Sequence, residues 1–407
     1  MSKTFIAQKD TLDAALAGVA VSKADLVYGF IEHNAVLDPS QRIEYIGANI
    51  DYSPISITMG GGYDLGDWAD FPWLMQNRPY MVRSDGTPDY PLDPDDYTQK
   101  FGNPEYWEGA GATEAPSDVD NEDYDGGAFA WLPKIYKREY MAGNDRYVYF
   151  SLKPRPGFEA WGFVDNDGNE LEGLWLPMFY ASSDGTKAQS LAGTAPVVSK
   201  TCTQEITLLS AVGTRAVHFG GPIVQTLIDL EIMFAKTTYL QSVYGTGNTS
   251  SILNNAVVDG GQFFATNDNT HLNKIFHSVL LGTYQLYVRD PYLIAFDDSV
   301  KIATDYIVDQ TGASYLDTGI ELPAGTQYPS YFRTVGGFGA LPVYPYNGTT
   351  TTGGCCSVSN MYPNEITCAN RFKTSRSAPR SFLTAKLSES PNRTFGVMLL
   401  PPPGATV

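Results

Sequence analysis

The chain has 407 residues, with 27 Lys and Arg against 45 Asp and Glu, a formal net charge of −18. That acidity argues against nucleic-acid binding and against docking on anionic lipid, since both need a basic face; its plainer consequence is solubility. Hydrophobic residues make up 43% and aromatics 13%, with 39 Gly and 26 Pro, so the chain can bury a sizeable core and reads as β- and loop-rich rather than disordered.

Near the N-terminus, "TLDAALAGVAVSKADL" places Leu12, Leu16 and Val19 on one helical stripe. Such a stripe must be covered, by the chain's own body or by sister chains, and self-association is the sharper expectation. "AALAGVAV" (14–21) has the length of a signal-peptide core, but Asp10 and Asp13 precede it where a signal needs positive charge, so it reads as mature sequence. No stretch is long and apolar enough to span a bilayer. From Val27 onward the pattern is short β-like segments separated by turn dipeptides: Asp85-Gly86, Asp125-Gly126, Asp167-Gly168, Asp184-Gly185 and Asn347-Gly348. Residues 101–127 are polar and acidic and read as a long loop or boundary. "AWLPKIYKREYMAGNDRYVYFSL" predicts a hairpin turning at Ala142–Asp145, and "GFVDNDGNELEGLWLPMFYAS" a second one. Two helices follow. "TQEITLLSAVG" has Thr203 as N-cap and Gly213 as its stop. "GPIVQTLIDLEIMFAKTTYL" opens with Pro222 in its first turn and should bury Ile223, Leu227, Leu230, Ile232 and Phe234. After Tyr244 come turns and short strands, then a final apolar strand, Thr394–Leu400, ended by a proline run.

Few residues point to catalysis. His33, His218, His271 and His277 are scattered, with no HExxH, and there is no P-loop, dinucleotide fingerprint or GxSxG. No pair among the many carboxylates is singled out as glycosidase-like. The acidic runs Asp118–Gly127 and Asp165–Glu170 read as loops rather than Ca²⁺ sites: Asp123 fills the EF-hand glycine position of the first, and a hairpin turn accounts for the second. Cys355, Cys356 and Cys368 fit no common zinc spacing; a disulfide from Cys368 to one of the pair and plain thiols both stay open. All three lie in Gly348–Phe372, a segment rich in Thr, Ser, Asn, Gly and Tyr, the composition of adaptable contact loops.

The order of segments carries a resemblance. Gly66, Trp68, Pro79, Met81, Asp85, Gly86, Asp89, Tyr90, Leu92, Asp96 and Tyr97 match the "Gly-x-Trp … Pro-x-Met-x-x-x-Asp-Gly-x-x-Asp-Tyr-x-Leu-x-x-x-Asp-Tyr" series of a group of tailed-phage virion proteins. "AFAWLPKIYKREY" resembles their next hairpin, and Ser190, Gly193 and His218 match a later segment. The resemblance covers roughly residues 25–400. It implies an α+β, mostly β fold: a small β- and loop-rich region (25–124) and a C-type-lectin-like domain with two helices and long loops (125–407), preceded by the helix read from the N-terminal stripe, for anchoring or oligomerisation (1–24). "PNRTFGVMLL" matches the closing "Gly-x-Arg-Leu-Leu" of the lectin-like phage proteins at Gly396, Leu399 and Leu400, with Met398 in place of Arg.

By that resemblance the protein is a fibre or spike component on the virion surface, carrying a receptor-binding domain for host attachment; the alternative is an architectural head, collar or baseplate protein of the same fold. Its expected partners are a host cell-surface receptor (glycan or protein), other virion proteins and two further copies in a homotrimer, with no nucleic acid and no membrane insertion. The expected contact residues are Tyr346, Asn347, Tyr362, Asn364, Asn370, Arg371, Phe372, Arg376 and Arg380, where aromatics and a basic run stand out in an acidic chain. No enzyme activity is expected: formylglycine-generating enzymes share the fold but use two cysteines separated by four residues, which Cys356 and Cys368 do not match. Ca²⁺-dependent lectins use Glu-Pro-Asn, of which "YPNE" (Tyr362–Glu365) keeps only Pro-Asn. No cofactor is expected, and no metal for folding or binding.

Overall fold

A computed structural model describes residues 22–33, 35–36, 38, 40–57, 63–101, 115–238, 241–244, 257–258, 262–263, 276–278, 287–296, 299–303, 305–306, 308, 315–321, 331–335, 339–343, 354–358, 372–374, 393–405 and 407. In chain order the first strands are β1 (Val27–His33), β2 (Ile43–Gly47), β3 (Ser56–Ile57), β4 (Tyr63–Asp64), β5 (Pro79–Arg83) and β6 (Pro88–Pro91), with a short helix α1 (Pro72–Gln76) before β5. Then come β7 (Gly126–Pro133), β8 (Tyr136–Ala142), β9 (Asp145–Ser151), β10 (Gly173–Pro177), β11 (Ser182–Ser183) and β12 (Ala188–Gln189). Helix α2 (Cys202–Val212), β13 (Ala216–His218), helix α3 (Gly221–Ala235) and the single turn α4 (Gln241–Tyr244) follow. The remainder is β14 (Val257–Val258), β15 (Gln262–Phe263), β16 (Tyr287–Phe296), β17 (Ser299–Ala303), β18 (Tyr315–Glu321), β19 (Tyr331–Val335), β20 (Gly339–Val343), β21 (Gly354–Val358), β22 (Phe372–Thr374), β23 (Arg393–Thr394) and β24 (Val397–Leu399). The described protein is therefore mostly β with a few helices, and no described helix is long and apolar enough to cross a membrane.

Three larger sheets hold most of these strands, and β3-β4, β11-β12, β14-β15 and β19-β20 are separate two-stranded pairs. The first has the order β2-β1-β9-β8, the second β13-β24-β10-β7-β5-β6, the third β18-β17-β16-β21-β22 with β23 beside β16. The first two cross the position between residues 124 and 125 where the sequence suggested a boundary: β1 pairs with β9, and β5 with β7. One hydrophobic cluster accordingly runs from Tyr28 and Phe30 through Met81 and Leu132 to Ile223 and Leu400. Tyr28 of β1 and Tyr45 of β2 pack on Trp68, Tyr28 also on Phe71, and Phe234 of α3 closes that aromatic group from the other half of the chain.

Alternation along the second sheet gives it two buried faces. Met81, Ala128, Ala130, Leu174, Leu176 and Met398 join the main core. Tyr80, Val82, Phe129, Trp131, Trp175, Val397 and Leu399 point the other way, into a second cluster covered by Leu209 of α2. Two buried indole nitrogens find carbonyl acceptors: Trp175 Nε1 donates to that of Gly86 at 2.8 Å, and Trp73 Nε1 to that of Pro133 at 2.7 Å. Gly86 is at φ +83°, and a side chain there would run into the Leu400 carbonyl at 2.4 Å, so the Asp85-Gly86 turn needs its glycine.

The first hairpin is as predicted, β8 and β9 pairing from Tyr136↔Ser151 to Ala142↔Asp145 around Gly143. Its exposed face carries the cross-strand pair Tyr140 and Tyr147, stacked at 4.9 Å with an interplanar angle of 5°. The second expected hairpin reduces to a single bridge, Val164↔Glu170, because β10 is drawn into the large sheet between β7 and β24. Helix α2 starts two residues earlier than expected. Thr201, not Thr203, is the N-cap, since only Thr201 has Gln204 three residues on to close a capping box. Helix α3 has Pro222 in its first turn and buries all five expected side chains completely; each stabilises the fold by about 1.5–3 kcal/mol.

Charges are buried where α3 meets the first sheet. Asp229 of α3, Glu32 of β1, Lys137 and Glu139 of β8, Arg146 of β9 and Arg42 before β2 are all almost fully shielded from solvent. Three cations face three anions. Arg146 donates to Asp229 at 2.6 and 2.9 Å, to Glu139 at 3.0 and 3.1 Å and to Glu32 at 3.2 Å. Lys137 reaches Asp229 at 2.5 Å and Glu139 at 3.1 Å, Arg42 holds Glu32 at 3.1 Å, and Gln225 caps Asp229 at 2.8 Å. Burial would push the Asp229 and Glu139 carboxyls up, but Arg146 and Lys137 outweigh it and hold both below the ordinary carboxylate range.

Candidate functional site

Of the residues expected to contact a receptor, only Phe372 falls in a described element, as the first residue of β22. Tyr346, Asn347, Tyr362, Asn364, Asn370, Arg371, Arg376 and Arg380 lie outside the described residues, as do the oligomer-contact candidates Leu12, Leu16 and Val19. The strands that bracket them are in place. Val358 pairs with Phe372, so the segment 359–371 leaves β21 and enters β22 at paired positions. Cys355 and Cys356 stand in β21, opposite Ile294 and Asp290 of β16, while Cys368 is outside the described residues.

The acidic runs form their own turns. Asp165 accepts from the backbone N–H groups of Asp167 and Asn169 at 2.9 and 2.8 Å, with Gly168 at φ +83°. Asp118 accepts from the Tyr90 hydroxyl at 2.7 Å and from the Asn121 amide at 3.0 Å. Of the histidines, His33 sits between Glu44 and Asp145 at 3.0 and 3.2 Å; partial burial lowers its pKa, and these two acceptors raise it by more. His277 meets the Tyr97 hydroxyl at 2.8 Å, and His271 is outside the described residues.

His218 belongs to a more unusual group. Cys202 and Glu205 occupy the first turn of α2, three residues apart and so on one face. Past Gly213 the chain turns back as β13, whose last residue, His218, pairs with Val397 of β24. The Tyr292 hydroxyl donates to the His218 carbonyl at 3.1 Å, and the imidazole packs 5.6 Å from the Phe395 ring. This brings one donor atom each of Cys202, Glu205 and His218 within 4.8 Å of one another, all three residues being buried. His218 Nε2 lies 3.5 Å from Glu205 Oε2 and makes no hydrogen bond. Of the three, His218 also lines a cleft of about 270 Å³, with Asn166, Ile206, Ser210 and Tyr306. Thiol, carboxylate and imidazole together can hold a metal ion or exchange protons.

The sequence reading missed this group. It weighed Cys355, Cys356 and Cys368 as a cluster and took His218 singly, and Cys202, Glu205 and His218 stand at no spacing of a common metal motif. The usable signal was Cys-x-x-Glu at a helix start, followed by a His on the strand that returns beneath that helix.

The residues of the Gly66–Tyr97 series have structural tasks. Trp68, Met81, Leu92 and Tyr97 are fully buried. Asp85 and Asp96 each accept from the backbone and hydroxyl of the Thr two residues on. Asp89 holds Arg83 and Tyr124 at 2.9 Å, and Ser190 links the Ala128 carbonyl to the Phe179 N–H. In comparisons with known proteins, no family, curated protein or solved structure matches the chain.

Proposed function

We propose that the chain is a structural protein of a tailed-phage virion, a fibre or spike component whose C-type-lectin-like part presents receptor-binding loops at the virion surface. What supports this is the ordered series from Gly66 to Tyr97, with Ser190, Gly193 and His218 after it. Most of these residues are spent on core packing, turns and cross-links. A shared series of that kind carries a scaffold, and leaves recognition to segments hung from it. The segment 359–371, tied at Val358 and Phe372, is one such segment. Its Asn, Tyr and Arg content gives adaptable hydrogen bonds and aromatic contacts.

The test is adsorption of phage, or of the isolated protein, to host cells, alongside a thermal melt. Replacing Arg371, Phe372 and Arg376 with Ala should weaken attachment by about 2 kcal/mol or more, a hot-spot loss. The Arg371→Ala/Arg376→Ala pair, which spares β22, should lose attachment with a melt within about 1 kcal/mol of the parent. Unchanged adsorption with a normal melt would favour the architectural head, collar or baseplate role instead.

A further inference from the structure

We propose that Cys202, Glu205 and His218 form a transition-metal site, for zinc by their donor chemistry, with a fourth coordination position open towards the neighbouring cleft. The sequence alone led to the opposite expectation, that no metal is needed.

The first argument is size. Nitrogen and oxygen donors bound tetrahedrally at about 2.0–2.1 Å from zinc stand about 3.3–3.4 Å apart, and a thiolate stands about 3.6 Å from either. His218 Nε2 and Glu205 Oε2 are 3.5 Å apart, too long and poorly directed for a hydrogen bond between them but close to two ligands of one ion. The widest separation in the group is at most 4.8 Å, so gathering all three takes a shift on the order of 1 Å.

The second argument is charge. Thiolate, carboxylate and neutral imidazole sum to two negative charges, which one divalent cation cancels in a site where all three side chains are buried. The third is selectivity: sulfur and imidazole favour zinc and its neighbours over Ca²⁺ or Mg²⁺. Finally, three protein ligands beside a cleft leave a position for water or an exogenous donor, whereas purely structural zinc sites are closed by four. The rigid mounting fits such a role, since the Thr201–Gln204 capping box fixes the helix start and Tyr292 holds the His218 backbone.

The experiment uses the full chain, stripped with chelator and titrated with Co²⁺ as the spectroscopic probe, then with Zn²⁺ in competition. One equivalent of Co²⁺ should give a thiolate-to-metal absorption band and intense tetrahedral visible bands, displaced by Zn²⁺. The Cys355→Ser/Cys356→Ser/Cys368→Ser variant should keep the thiolate band, because Cys202 is then the sole cysteine. Cys202→Ser should abolish it, and His218→Gln should weaken Co²⁺ binding at least tenfold, with circular dichroism confirming the fold. Absence of the band in the parent chain, or its loss in the triple-serine variant while that variant stays folded, would overturn the proposal. Should Cys202→Ser not fold, the triple-serine variant still decides, as it isolates the one thiolate in question.

Discussion

Arg146→Met tests the account of the buried charges most directly. Arg146 makes five hydrogen bonds to three carboxylates, and Met keeps much of its volume without the charge. Of the ion pairs described above, those from Arg42 and Lys137 would remain, two buried cations against the three carboxylates Glu32, Glu139 and Asp229. Breaking a buried network this way costs about 3–5 kcal/mol. At about 2 °C per kcal/mol, the low end for large domains, the melting temperature should fall by about 6–10 °C. Removing Asp229 as well, in Arg146→Met/Asp229→Leu, restores two cations against two anions and should recover a good part of the loss. The melts should also be followed with pH. The Asp229 carboxyl is held below its ordinary range, so its contribution is complete above about pH 5 and is lost as pH falls through the folded value. Asp229→Asn should therefore cost most at neutral pH, with the gap to the parent narrowing below about pH 4. A melt of Arg146→Met within 2 °C of the parent, or a double variant no better than the single one, would refute the reasoning.

Light scattering of the purified protein should give a trimer, and Leu12→Asp/Leu16→Asp should reduce it to smaller species; a parent chain that is monomeric at micromolar concentration would count against the fibre reading. Thr201→Ala removes the capping box of α2 and should cost about 1 kcal/mol in chemical denaturation. Gly126→Ala should cost more than about 1 kcal/mol. Gly126 sits at φ +147°, and a Cβ there would lie 1.9 Å from the Val82 carbonyl oxygen, where β7 pairs with β5. A Gly126→Ala protein with an unchanged denaturation midpoint would contradict that geometry.

Elements set by local chemistry were legible in the sequence. Pro222 and the apolar run behind it announced α3, and aromatic alternation around Gly143 announced β8 and β9. What was not legible depended on distant partners. Nothing local says that β10 will be captured by β7 and β24 rather than fold back on Val164. The expected N-cap, Thr203, is displaced by Thr201, whose capping box depends on the Gln204 side chain. Asp229 carried an unused signal: a carboxylate amid Leu227, Ile228 and Leu230 cannot be buried alone, and Arg146 and Lys137, far away in the chain, are its answer. The Cys202–Glu205–His218 group was hidden for a like reason, since two of its members lie on a helix and the third on a strand of another sheet position.

The placing of β24 has a consequence for how the protein is made. This strand, Val397–Leu399, lies between β10 and β13. A ribosome releases β10 when it has read residue 177, yet the strand that covers its free edge arrives roughly 220 residues later, about 10–45 s at ordinary translation rates. During that interval the nascent chain exposes an unpaired edge beside Trp175 and an unfilled slot before β13, the kind of surface that captures other chains. Synthesis in a crowded cell therefore favours a chaperone, or a sister copy, that shields this slot until Phe395 and β24 emerge.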